Sequence, residues 1–106
     1  MYYVYILRCE DQSLYTGITT DIQRRFQEHY QRTSRAAKYT RVHQVVKIEA
    51  LWSCQNRQQA SQLEYYLKKL TKRDKENLIH DHERFAKYFA CFLDTSLYQR
   101  INSFKI

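Results

Sequence analysis

The stretch LYTGITTDIQRRF, residues 14–26, puts two kinds of reactive side chain close together. Tyr15 is a phenol, able to do acid–base work as well as to pack. Arg24 and Arg25 carry the planar cation that suits phosphate and carboxylate. Between them lies Gly17, the one glycine of a 106-residue chain that has no proline. Small domains normally use several glycines in turns and helix ends. A single glycine kept here marks a position where a side chain is unwelcome. Phenols are plentiful elsewhere too: ten tyrosines bring the aromatic share to 15%.

The elements that must position these groups follow from periodicity. YYVYILRC reads as a strand from Tyr2 to about Arg8, with Tyr3, Tyr5 and Leu7 on one face and Tyr2, Val4 and Ile6 on the other. EDQS supplies a turn, with Gln12 where glycine or asparagine is expected, and LYTGI returns as the second strand of a hairpin. Thr20 and Gln23 form a capping pattern that opens a helix to about Tyr30, striped by Ile22, Phe26 and His29. Residues 31–44 hold four basic and no acidic side chains and read as a loop. VVKIEALW makes a third strand, with Val46, Ile48, Ala50 and Trp52 on one face.

Asn56 and Gln59 repeat the capping pattern before a helix striped by Ala60, Leu63, Leu67 and Leu70. Thr71 and Asp74 cap the next, which is expected to continue through Phe85, Phe89 and Phe92. Leu97, Ile101 and Phe104 would line a short final helix. The order β-β-α-β-α-α predicts an α+β domain, a three-stranded antiparallel sheet flanked by helices, with a helical C-terminal tail. Residues 1–79 form the expected domain, and 80–106 an extension packed on it or at a homodimer interface.

Charge narrows the partner. Eighteen basic against eleven acidic residues give +7, and the excess lies wholly in residues 1–75. A polyanion is the expected partner, nucleic acid being the commonest. Cys9, Cys54 and Cys91 are odd in number and far apart, which argues against a disulfide framework. With neither a signal peptide nor a membrane span in view, a cytoplasmic protein is expected.

Three segments together resemble the GIY-YIG nuclease superfamily: YVYIL (3–7), LYTGIT (14–19) and DIQRRFQEH (21–29), followed by Glu64 in QLEYYLKKL. AAKYT and KKLT are similar to the small single-domain bacterial, YhbQ-like branch. Tyr3 stands where the family has the glycine of GIY, and Thr16 where it has the isoleucine of YIG. The resemblance implies a metal-dependent endonuclease acting on DNA, with Tyr5 and Tyr15 catalytic, Arg25 on the phosphate and Glu64 holding Mg²⁺ or Mn²⁺. It also implies supporting roles for Gly17, His29 and Tyr39. A nucleic-acid-binding module with the same fold and little catalysis is the alternative.

The chemistry is consistent with that assignment. Phosphodiester hydrolysis needs a base for water, a cation for developing charge, and a metal. Phenol, with a pKa of about 10, is a poor base until nearby positive charge lowers it. Gly17 would let the backbone approach phosphate or metal with no Cβ in the way. Taken singly, Arg25 could merely pair with Asp21, and Glu64 with Lys68. Nucleic-acid contacts are expected at Arg24, Arg32, Arg35, Lys38, Arg41, Lys68 and Lys69.

Overall fold

The computed structural model describes residues 1–102. A hairpin opens the fold: β1 (Tyr2–Cys9) runs antiparallel to β2 (Leu14–Thr19), with Tyr5 opposite Gly17 and Leu7 opposite Tyr15. Gln12 does what its place in the turn demands, adopting a left-handed φ of 70°. On the other side of β1 lies β3 (Val45–Cys54), also antiparallel. Among the described residues the sheet has a fourth strand, so the expected count of three is corrected. This is β4 (Gln99–Arg100), paired to Trp52 and Ser53, in the order β2-β1-β3-β4. The tail therefore ends its described part in the sheet rather than in a helix; Phe104 lies outside the described residues.

The two faces of β1 carry separate cores, as alternation predicts. Tyr5, Leu7 and Cys9 pack with Ile22 and Phe26 of helix α1 (Ile22–Tyr30), together with Val45 and Leu51. Val4 and Ile6 pack under helix α3 (Arg57–Lys69), against Ala60, Leu63 and Leu67. That second core reaches on to Leu78 of α4 (Lys72–His80), to Phe85 and Phe89 of α5 (Arg84–Phe89), and to Tyr98. The Tyr98 hydroxyl donates to the Gln59 carbonyl at 2.7 Å, tying the tail to the start of α3.

Register overturns one face assignment. Ile6 pairs with Ala50 but Leu7 with Ile48, and Arg8 pairs with Lys47 but Cys9 with Val45. Glu49 and Val46 are thus extra residues in β3, and each bulge inverts the alternation beyond it. Val46, expected inside beside Trp52, is 47% exposed, while Ile48 joins the Tyr5 side. Bulged Glu49 meets Arg8, whose guanidinium also grips Glu76 of α4 at 2.5 Å, so the helix is clamped to the sheet.

Local capping is read partly correctly. Asn56 and Thr71 accept from the backbone N–H three residues on, as predicted. At α1 the cap is Asp21 rather than Thr20, its carboxylate accepting from the Arg24 N–H. The helix after Thr71 stops at His80, and α5 is a separate short helix that leaves Phe92 62% exposed. The basic segment 31–44 is not all loop: Lys38–Val42 forms a short helix, α2.

Candidate functional site

Gly17 and Tyr5 face each other across the β1–β2 ladder, and their relation answers why the chain keeps its glycine. A Cβ on Gly17 would stand 2.6 Å from the Tyr5 Cζ and 3.0 Å from Cε1, and closer still to the hydroxyl oxygen. Those separations are far inside van der Waals contact. The backbone of Gly17 has no positive φ, so conformational freedom is not the reason. The missing side chain is the floor on which the Tyr5 ring lies, pointing its hydroxyl toward the β2 edge. The expectation that Gly17 clears space for phosphate or metal is therefore revised: it clears space for a phenol.

That phenol ends in a buried hydrogen-bond chain. Tyr5 Oη lies 2.9 Å from Nε2 of His29, and His29 Nδ1 lies 2.6 Å from the hydroxyl of Thr40. Thr40 donates to the Ala37 carbonyl at 3.1 Å, so its oxygen receives the Nδ1–H of His29. Nε2 is left as the acceptor of the Tyr5 proton. Tyr5, His29 and Thr40 are all buried. Burial pushes the Tyr5 pKa well above the usual phenol value, and Tyr15 adds to this while Arg25 opposes it. Burial, with Arg25 behind it, lowers His29 to about 4. The pair rests as neutral phenol and neutral imidazole.

Tyr15 closes the other side of the network. Its ring lies 5.4 Å from His29 and 6.5 Å from Tyr5, and it stacks on Tyr39 at 5.8 Å. Tyr39 in turn stacks on His43 at 4.1 Å. Helix α2 thus carries two residues of the site, Tyr39 on the aromatic stack and Thr40 on the imidazole. Tyr39 was legible as a candidate; Thr40 was not, because nothing local marks a threonine that bonds a histidine eleven residues earlier.

Arg25 leaves α1 beside the buried stripe, half-exposed. Its Nη1 donates to Glu28 at 3.0 Å and to the Arg35 carbonyl at 2.6 Å, not to Asp21. The same guanidinium stands within reach of the Tyr5 hydroxyl and favours its anion. Glu64 comes from α3, on the other layer, and its carboxylate is close enough to disfavour the Tyr5 anion. It also pairs with Lys68 at 3.4 Å. Among the described residues no three His, Cys, Asp or Glu side chains gather into a metal cage. A lone, half-exposed carboxylate fits a hard divalent ion that keeps most of its water, as Mg²⁺ does, and not a structural zinc.

The basic residues divide. Arg24, Arg25 and Arg35 line one open cleft of about 390 Å³ with Tyr2, Glu28 and Arg57. Arg57 opens α3 on the helical face that carries Glu64, seven residues on; that spacing was readable, and sequence reasoning passed over it. Arg32, Lys38 and Arg41 are exposed and do not line this cleft. Lys69 is turned away, its ammonium 4.6 Å over the Tyr65 ring.

Comparison with known proteins bears on the same region. The model of the GIY-YIG catalytic domain matches residues 1–77. A UPF0213 protein of Fusobacterium nucleatum is 46% identical over 86 residues, covering 81% of this chain and 84% of its own. The UPF0213 protein YhbQ of Salmonella arizonae is 39% identical over 89 residues, covering 84% and 87%. A solution NMR structure of a UPF0213 protein from Bacillus halodurans is 40% identical over 76% of this chain and 84% of that one, with a TM-score of 0.45.

Proposed function

The chain belongs to the GIY-YIG catalytic domain family, and from that premise we propose that it hydrolyses phosphodiester bonds in DNA. The observation that carries the reading is the buried Tyr5–His29–Thr40 chain, with Arg25 and Glu64 electrostatically coupled to the same phenol. A tyrosine kept only for packing has no use for a glycine cut away beneath its ring and an imidazole at its hydroxyl.

In this reading Tyr5 takes the proton of the attacking water as its own phenolic proton passes to the Nε2 lone pair of His29, which also holds the phenol in the orientation that presents its oxygen. Because burial keeps His29 neutral, Nε2 keeps a lone pair on the phenol throughout the neutral pH range. Arg25, steadied by Glu28 and the Arg35 carbonyl, meets the charge that grows on the phosphate oxygens. Glu64 would hold Mg²⁺ or Mn²⁺, which supplies Lewis-acid polarisation of the phosphate and a charge that favours ionised Tyr5. Tyr15, backed by Tyr39, packs beside the imidazole.

The test is incubation with labelled duplex, flap, branched and single-stranded DNA, and RNA counterparts, in Mg²⁺, Mn²⁺ or EDTA. Cleavage is expected with metal and absent in EDTA. Arg25→Ala and Glu64→Ala should each lower the rate by about 10²-fold or more. A variant that stays folded by circular dichroism and cuts at the parent rate removes that residue from the site. Binding of DNA with no cleavage under any metal would select the alternative, a binding module.

A further inference from the structure

We infer that the arginine cleft is a second phosphate subsite, which binds a phosphate group of the substrate strand other than the one cut, with Arg57 as its anchor. The inference rests on the nuclease reading for the identity of the occupant. Its own ground is an imbalance of charge. Four guanidinium groups, from Arg24, Arg25, Arg35 and Arg57, line one cleft of about 390 Å³, and Glu28 is the one carboxylate among its lining residues. Arg25 already uses Glu28 and the Arg35 carbonyl. Among the described residues, Arg24, Arg35 and Arg57 have no salt bridge and their guanidinium groups donate no hydrogen bond.

Three solvent-exposed forks from three separate segments converge on this cleft with their donors unused by the protein. α1 brings Arg24, the segment between α1 and α2 brings Arg35, and the first turn of α3 brings Arg57. A cleft with a net excess of positive charge attracts anions, and guanidinium matches phosphate with two parallel hydrogen bonds. Tyr2 offers a ring beside these cations for the sugar or base attached to that phosphate. Arg25 belongs to both the cleft and the Tyr5 network, so the subsite adjoins the reacting phosphate. Such an arrangement favours a substrate with at least one more phosphate beyond the scissile one, whether a backbone diester or a terminal monoester.

The test reads binding in EDTA, with cleavage silent. Labelled strands each carrying one neutral methylphosphonate, at successive positions, are titrated against parent, Arg57→Ala and Arg57→Lys. At one position neutralisation should cost the parent about tenfold in affinity, and cost Arg57→Ala nothing more. Arg57→Lys, which keeps the charge and loses the fork, should lie between. Matched strands with and without a terminal phosphate tell a monoester from a diester. Arg57→Ala should also flatten the log-log salt slope by about one unit. Affinity and slope equal to the parent's would overturn the proposal.

A second readout separates this failure from failure of the nuclease reading. Inorganic pyrophosphate is titrated into the parent while the arginine side-chain N–H resonances are followed by NMR. Saturable shifts at Arg24 and Arg57, lost at Arg24 in Arg57→Ala, support the anion subsite even in a protein that cuts nothing. No saturable shift in the parent would overturn it even in an active nuclease.

Discussion

Replacing Gly17 with alanine adds one methyl group at the centre of the site. The backbone accepts it, since φ is not positive at this glycine. In open space the change would stabilise the fold by about 0.4–1 kcal/mol through the unfolded chain. The space is not open: the new Cβ would lie 2.6 Å from the Tyr5 Cζ. Tyr5 is 1% exposed and fixed at its tip by His29, so the ring cannot swing freely. Overpacking a rigid core costs about 1–3 kcal/mol. If the ring moves instead, the 2.9 Å bond breaks and leaves the buried His29 Nε2 without its donor, about 1–3 kcal/mol again.

The net expectation is a loss of up to about 2.6 kcal/mol once the backbone gain is set against either cost. For a domain of this size that corresponds to a fall in Tm of up to roughly 15 °C. Cleavage should fall by about 10²-fold, because a base displaced by an ångström loses its aim. Thermal melts by circular dichroism and single-turnover cleavage measure the two effects. A double-mutant cycle with Tyr5→Leu isolates the cause, since the penalty for Gly17→Ala should shrink when the ring is gone. A Gly17→Ala protein that melts at or above the parent temperature and cuts at the parent rate would refute the reasoning.

Burial lowers His29 from 6.5 to about 4, so between those values the unfolded chain binds more protons than the folded one. Its contribution to stability is therefore complete above about pH 6.5 and is lost as pH falls toward 4; melts across that range should show Tm falling with acid, and His29→Gln should flatten the trend. Arg8 is held by Glu49 and Glu76 at 2.6 and 2.5 Å, and Arg8→Ala would leave two partly buried carboxylates facing each other. Urea unfolding should register a loss of about 1–3 kcal/mol. Deleting residues 94–106 removes buried Tyr98 and the β4 pairing with Trp52 and Ser53. Tm should drop while DNA affinity of the soluble fraction stays near the parent's, and loss of DNA binding without loss of Tm would place the tail in the substrate site instead.

Among the described residues, no helix is long and apolar enough to cross a membrane, and Cys9, Cys54 and Cys91 are all free. Both agree with what composition alone suggests. The caps at Asn56 and Thr71, the stripes of α1 and α3 and the two faces of β1 were equally legible. Each depends on side chains two to four positions apart, and a neighbour at that distance is the same neighbour in any fold that uses the element.

What stayed hidden depends on residues that meet only after the chain has folded back. The bulges at Val46 and Glu49 come from pairing β3 against a strand some forty residues earlier, and a register shift leaves no local trace. Helix α2 has five residues and no apolar stripe; Thr40, its one buried residue, finds its partner in His29 of α1. β4 is two residues long and is a strand only because Trp52 and Ser53 offer an edge. Sequence alone singles out Gly17 as the lone glycine and Tyr5 as a strand phenol. That one is the floor of the other is decided by the cross-strand register, since a Cβ is excluded there by a ring twelve residues away in the chain and directly opposite in the sheet.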